Sequence, residues 1–238
     1  MKKLTLLIAM VPLLAFANAD KTNLTYKGNG AGHNGTIQIN GKKLNVGIVQ
    51  QKFEFAGMIK GSDLYSMNNK VGNVYCVDLS QWTDTKGTNC YTIVTADALP
   101  VIQNAPKKAA KLSAMNCLWN EGLGGQFGNA WTTSNSDYAA AFQLMNWELM
   151  TDFDGTLDSI KLDSGSFQLC SSLPAGAVSV FNALKQNIAK KDFKCSPAPV
   201  RGLVNDCFQD YVTPVPEPAT MAALGLGVAA AIRRRKSK

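Results

Sequence analysis

The chain has 238 residues, with 24 Lys and Arg against 17 Asp and Glu and a formal net charge of +7. The excess sits at the ends: two Lys precede residue 20, and five basic residues follow residue 214 against the single acid Glu217, so residues 20–214 keep 17 basic and 16 acidic side chains. A body this close to neutral lacks the electrostatic footprint of a phosphate-backbone binder, and no nucleic-acid partner is expected.

Lys2-Lys3, the apolar run from Leu4 to Phe16 and Ala17-Asn18-Ala19 have the charged, hydrophobic and small-residue order of a secretory signal peptide over residues 1–19, with Asp20 as the first mature residue. Export would permit disulfides, and all six cysteines, Cys76, Cys90, Cys117, Cys170, Cys195 and Cys207, are disulfide candidates. Many pairings are open; closeness in sequence puts Cys76 with Cys90, and Cys195 with Cys207, first. A metal site is not expected, because no C-x-x-C pair occurs and the only histidine, His33, stands in a glycine-rich stretch.

Residues 20–35 are polar and glycine-rich and read as a lead-in loop. Thr36–Ile39 and Val46–Val49 are β-rich runs flanking an Asn40-Gly41 turn signal, which predicts a hairpin. Third and fourth strands are predicted at Val74–Asp78 and Tyr91–Val94. The period then changes. A helix opened by Pro106 carries Leu112, Met115 and Trp119 on one face and is ended by Gly122. Ser134–Asp137 offers a capping box for a second helix. A third, about Pro174 to Lys190, aligns Ala177, Phe181, Leu184 and Ile188, and a last strand is predicted near Leu203–Val212. The pattern implies a single α+β domain over residues 20–213, with strands at both ends around a central group of helices.

The second helix is apolar most of the way round. Tyr138, Phe142, Met145 and Leu149 make one face, and Ala139, Gln143, Trp147 and Met150 the next. An amide buried there costs about 1–3 kcal/mol if unpaired, so Gln143 needs a partner, in the simplest case a backbone group of a neighbouring strand or loop. Tyr75-Cys76-Val77-Asp78 followed by Phe142-Gln143-Leu144-Met145-Asn146-Trp147 also resembles the thioester domain of bacterial surface adhesins. That resemblance implies a bond from the Cys76 sulfur to the Gln143 side-chain carbonyl, open to attack by a partner's amine. Phe142, Met145 and Asn146 depart from the family motif; Gln143 and Trp147 keep identity and spacing.

Asp152-Phe153-Asp154-Gly155-Thr156-Leu157 resembles the nucleophile motif of haloacid-dehalogenase-like phosphatases, but follows a predicted helix rather than a buried strand. A helix-terminating turn explains it more simply. Asp152, Asp154 and Asp158 have oxygen-ligand spacing for calcium without the closing Glu of an EF-hand.

The end of the chain has three parts: Val215-Pro216-Glu217-Pro218, fourteen uncharged residues from Ala219 to Ile232, and Arg233-Arg234-Arg235-Lys236 followed by Ser237-Lys238. Residues 214–238 resemble the PEP-CTERM sorting signal of Gram-negative bacteria, which implies recognition by the membrane protease exosortase near the Pro-Glu-Pro. As a helix the apolar stretch would reach roughly 21 Å against a hydrocarbon core of about 30 Å, so a short transmembrane helix is expected, with the arginines as a cytoplasmic stop. Together these features predict an exported, non-enzymatic structural or binding module of the envelope or extracellular matrix, without a cofactor. Its expected partners are exosortase, the membrane through the tail helix, and exopolysaccharide or another surface partner. A covalent thioester adhesin is the first alternative and a secreted phosphatase the second.

Overall fold

Asn40 and Gly41 both take positive φ, 48° and 81°, the backbone of a tight hairpin turn, and the two strands they join are the longest of the sheet. β1 (Lys21–Ile39) and β2 (Lys42–Ala56) pair antiparallel from Asn23↔Ala56 to Ile39↔Lys42 in a computed structural model that describes residues 20–216. The expected lead-in loop is thus strand. The glycines that suggested a loop accommodate a bent strand: the register shifts between Tyr26 and Gly28 and again between Asn29 and Gly32. Gly32 has φ +146°, and a Cβ there would stand 2.4 Å from the Ile48 carbonyl oxygen, so only glycine lets the two backbones come this close.

β4 (Thr88–Thr95) covers the predicted fourth strand, β3 (Lys70–Cys76) overlaps the predicted third but starts earlier and ends before Val77, and the expected last strand is two, β6 (Val200–Val204) and β7 (Tyr211–Pro214), joined by a loop. Their pairings run β1, β2, β3, β7, β6, β4 and back to β1, all antiparallel, which closes a six-stranded barrel; β5 (Phe167–Leu169) adds to the far end of β1 as a seventh strand. This corrects the expectation of an α+β domain with strands at either end of a helical centre. The late strands β6 and β7 enter between β3 and β4, and the helices flank a closed sheet. Closure gives each of the six strands a neighbour on both sides over part of its length, while β2 before Gln51 has lost β3 as a partner.

After the short α1 (Pro100–Gln103), α2 (Lys108–Gly124), α3 (Ser136–Thr151) and α4 (Ala175–Ala189) occupy the predicted helical regions. Gly122 does not end α2. It lies buried within the helix, and a Cβ would meet the Phe142 ring at 2.3 Å, so it is the point where α2 and α3 touch. Asn135 caps α3 by accepting from the Tyr138 N–H at 3.1 Å. At the other end the buried Lys111 donates to the Met150 and Thr151 carbonyls at 2.7 and 2.8 Å. α3 packs against β1, β2 and β3 and against α2 and α4, and every residue from Tyr138 to Met150 is buried. The aligned face predicted for α4, Ala177, Phe181, Leu184 and Ile188, is its buried face.

Cys117 of α2 is bonded to Cys195 beyond α4. Neither pairing favoured by sequence proximity forms: Cys195 is taken by Cys117, and Cys76 is separated from Cys90 by β7 and β6, roughly 14 Å of sheet at ~4.8 Å per strand. The expected signal peptide and the apolar and basic parts of the tail lie outside the described residues. Among those residues no helix is long and apolar enough to cross a membrane.

Candidate functional site

Cys76 is the last residue of β3, paired with Tyr211 of β7. On its other side β2 has already diverged, since the β2–β3 register ends at Gln51↔Val74. The Gln143 side chain of α3 takes the vacated place. Its Nε2 donates to the Cys76 carbonyl at 2.8 Å, and the Cys76 N–H donates to Gln143 Oε1 at 3.0 Å. A primary amide carries donor and acceptor side by side, so it continues the sheet ladder where backbone is missing. The buried Gln143 therefore has the strand-backbone partner that its burial demanded.

Trp147, one helical turn after Gln143, points its indole Nε1–H at the Cys76 sulfur, 3.4 Å away, and the thiol lies 3.1 Å from the Asp78 carbonyl oxygen. Burial pushes the Cys76 thiol well above its ordinary range, with the Trp147 N–H opposing, so the sulfur is a neutral thiol near neutral pH. The structure thus brings Cys76, Gln143 and Trp147 together.

The three form the inner wall of a cavity of about 180 Å³. Its rim includes residues the sequence reading passed over. Trp82 is 61% exposed at the mouth, and Thr83 sits at a polar junction with Gln51 Nε2 at 2.9 Å, Gln209 Oε1 at 2.8 Å and Tyr211 Oη at 2.9 Å. A tryptophan set in the polar run Asp78-Leu79-Ser80-Gln81-Trp82-Thr83 was the available signal, because an indole with polar neighbours on both sides has no periodic apolar face to join. None of the described residues lining this cavity is charged.

The acidic motif after α3 is tied into local turns. Asp152 accepts from the backbone N–H groups of Ser166 and Phe167 at 3.0 and 2.8 Å, and Asp154 Oδ1 accepts from the N–H and hydroxyl of Thr156 at 2.9 and 2.7 Å. It follows a helix in a sheet whose pairings are all antiparallel, not the end of a parallel strand. No group of three or more metal-ligating side chains occurs among the described residues.

At the far end of β7, Thr213 and Pro214 are buried, and the Val215 N–H donates to the Pro199 carbonyl at 2.7 Å. Val215 and Pro216 are described; Glu217, Pro218, Arg233, Arg234 and Arg235 lie beyond. Residues 214–236 match the PEP-CTERM protein-sorting motif, which implies exosortase processing and export through a C-terminal sorting signal. No match to the chain was found among curated proteins or among solved structures.

Proposed function

We propose that the barrel is the cargo of an exosortase route: a non-enzymatic structural or binding module delivered to the cell envelope or extracellular matrix. The observation that carries this reading is the sorting motif at residues 214–236, which begins on the final residue of β7. The uncharged cavity and the neutral Cys76 thiol support a binding role over acid–base chemistry. An exopolysaccharide or another surface molecule is the partner this reading favours. Mass spectrometry of the mature protein from its host tests it. The expected product lacks Arg233–Arg235, ends near the Pro216-Glu217-Pro218 segment and is found outside the cytoplasm. Full-length, uncut chains among cytosolic proteins would refute the proposal, and Glu217→Ala should block the cut where the route operates.

The proximity of the Gln143 side chain to Cys76 leads to one second reading, a thioester adhesin, although the hydrogen bonds seen go to the Cys76 backbone and not to its sulfur. In that chemistry the Cys76 sulfur bonds to Gln143 Cδ, the Cδ–Nε2 bond breaks, and ammonia leaves with the thiol proton. The neutral, buried thiol opposes it, since the thiolate is the nucleophile. An intact mass short by one ammonia, together with methylamine incorporation lost in Cys76→Ala, would establish the thioester. A full mass and no incorporation would remove it.

A further inference from the structure

Outside the Cys117–Cys195 bridge the remaining cysteines are not equivalent in position. Cys76 is buried, its sulfur held between Trp147 and the Asp78 carbonyl. Cys170 follows β5 at one end of β1, where its N–H donates to the Thr36 carbonyl at 2.7 Å, whereas Cys90 is the register partner of Asn23 near the other end of the same strand. The stretch of β1 from Asn23 to Thr36 is roughly 40 Å long at ~3.3 Å per residue, and even bent by its bulges it far exceeds the ~7 Å Cα separation that a disulfide tolerates. Neither Cys76 nor Cys170 can reach Cys90.

Cys207 can. The β4–β6 register runs from Thr95↔Arg201 to Thr92↔Val204, and continued by two residues it sets Cys90 opposite Asp206, next to Cys207. One side chain clamps the two together: Asn205 Nδ2 donates to the Cys90 carbonyl at 2.9 Å, while Asn205 Oδ1 accepts from the Cys207 N–H at 2.8 Å. Tyr91 is buried, so by strand alternation its neighbour Cys90 projects outward, and both Cys90 and Cys207 are exposed.

We propose that Cys90 and Cys207 close a second disulfide, fastening the β6–β7 loop to β4 on the outside of the barrel. The Cys90 thiolate displaces one thiolate from a small disulfide oxidant, and the Cys207 thiolate then attacks the Cys90 sulfur of the mixed disulfide and releases the other. The protein gives up two electrons and two protons, and the oxidant becomes two thiols. The fastened loop carries Gln209, a wall of the cavity whose Nε2 donates to the Asp78 carbonyl at 2.9 Å, and Asp210, whose carbonyl accepts from Val77 N–H at 3.1 Å. The bridge therefore holds the cavity wall beside Cys76 in place. The proposal rests on the export reading only for the compartment that would supply the oxidant; the pairing is tested without it.

Full-length protein is refolded with oxidised glutathione until the Cys117–Cys195 peptide is completely linked, then denatured without reduction and treated with N-ethylmaleimide. The expected outcome is a linked Cys90–Cys207 peptide, no label on either residue, and label on Cys170. Cys207→Ser should expose Cys90 to label. Label on both Cys90 and Cys207 in protein whose Cys117–Cys195 bridge is closed would overturn the proposal, as would a peptide joining Cys90 to any other cysteine. Thioester formation would withdraw Cys76 alone from labelling and leave this readout unchanged.

Discussion

Replacing Glu148 with Gln should change how stability depends on pH. Glu148 lies wholly buried on α3, and among the described residues neither carboxyl oxygen has a hydrogen-bond partner. Burial above all, then the Asp152 carboxylate, pushes its pKa up to about 9. The folded protein therefore keeps this proton through neutrality, whereas the unfolded chain gives it up near the usual carboxylate value. Because the folded state binds the extra proton, wild-type stability is highest at or below the unfolded pKa. This group's contribution falls as pH rises toward 9, by about 1.4 kcal/mol per pH unit, or about 4 kcal/mol between pH 5 and pH 8. Glu148→Gln removes that slope and leaves an amide with unpaired groups, a cost of about 1–3 kcal/mol that does not depend on pH. The variant should be the less stable protein near pH 5 and gain on the wild type steadily, so the two curves converge and cross. Asp210, pushed up to about 6 chiefly by burial, adds a fall of its own below neutrality, but it is common to both proteins and cancels in the difference. Urea unfolding followed by tryptophan fluorescence at several pH values, with the disulfide intact, measures the gap. A gap that stays constant from pH 5 to pH 8 would refute the assignment of a buried, protonated Glu148.

Gln143→Ala leaves the Cys76 N–H and carbonyl unpaired inside the core, and should lower stability by about 2–4 kcal/mol in the same urea assay. The paired change Cys117→Ala with Cys195→Ala opens a loop with a sequence separation of 78 and should cost about 4 kcal/mol, read as a lower denaturation midpoint. Gly122→Ala drives a methyl group into the Phe142 ring and should cost about 1–3 kcal/mol. Asp152→Asn should weaken the turn after α3 by about 1–3 kcal/mol while phosphate-ester turnover with Mg²⁺ stays at background before and after the change; turnover that vanished with the substitution would revive the phosphatase reading.

The parts of the fold carried by local patterns were legible. Asn40-Gly41 marked the hairpin turn, and the spacing of Ala177, Phe181, Leu184 and Ile188 marked the buried side of α4. That a buried Gln143 needs a backbone partner was legible too, but not that the partner is the end of β3. What stayed hidden depended on contacts far apart in sequence. The glycines between Gly28 and Gly35 spell a loop in isolation, and only the facing β2 backbone shows that they bend a strand. Barrel closure depends on β7 pairing with Cys76 at one edge and β6 with β4 at the other, and neither pairing leaves a periodic trace. Gly122 read as a helix stop because its real role, contact with Phe142, involves another helix. Trp82 and Thr83 belong to a loop whose neighbours in space are set by the barrel, so their place at the cavity could not be read from order along the chain.

β7 is the last strand to leave any machinery that threads this chain outward from its beginning, yet it sits between β3 and β6 in the finished barrel. Until it arrives, the β3 and β6 backbone groups that pair with it in the finished barrel lack those partners, and the seam can seal only when the residues just ahead of the sorting motif are through. Assembly of the cargo and presentation of its address are therefore nearly simultaneous events. A lesion in Tyr211–Pro214 would reach the sorting step as an unsealed barrel, vulnerable to proteases before its label is read.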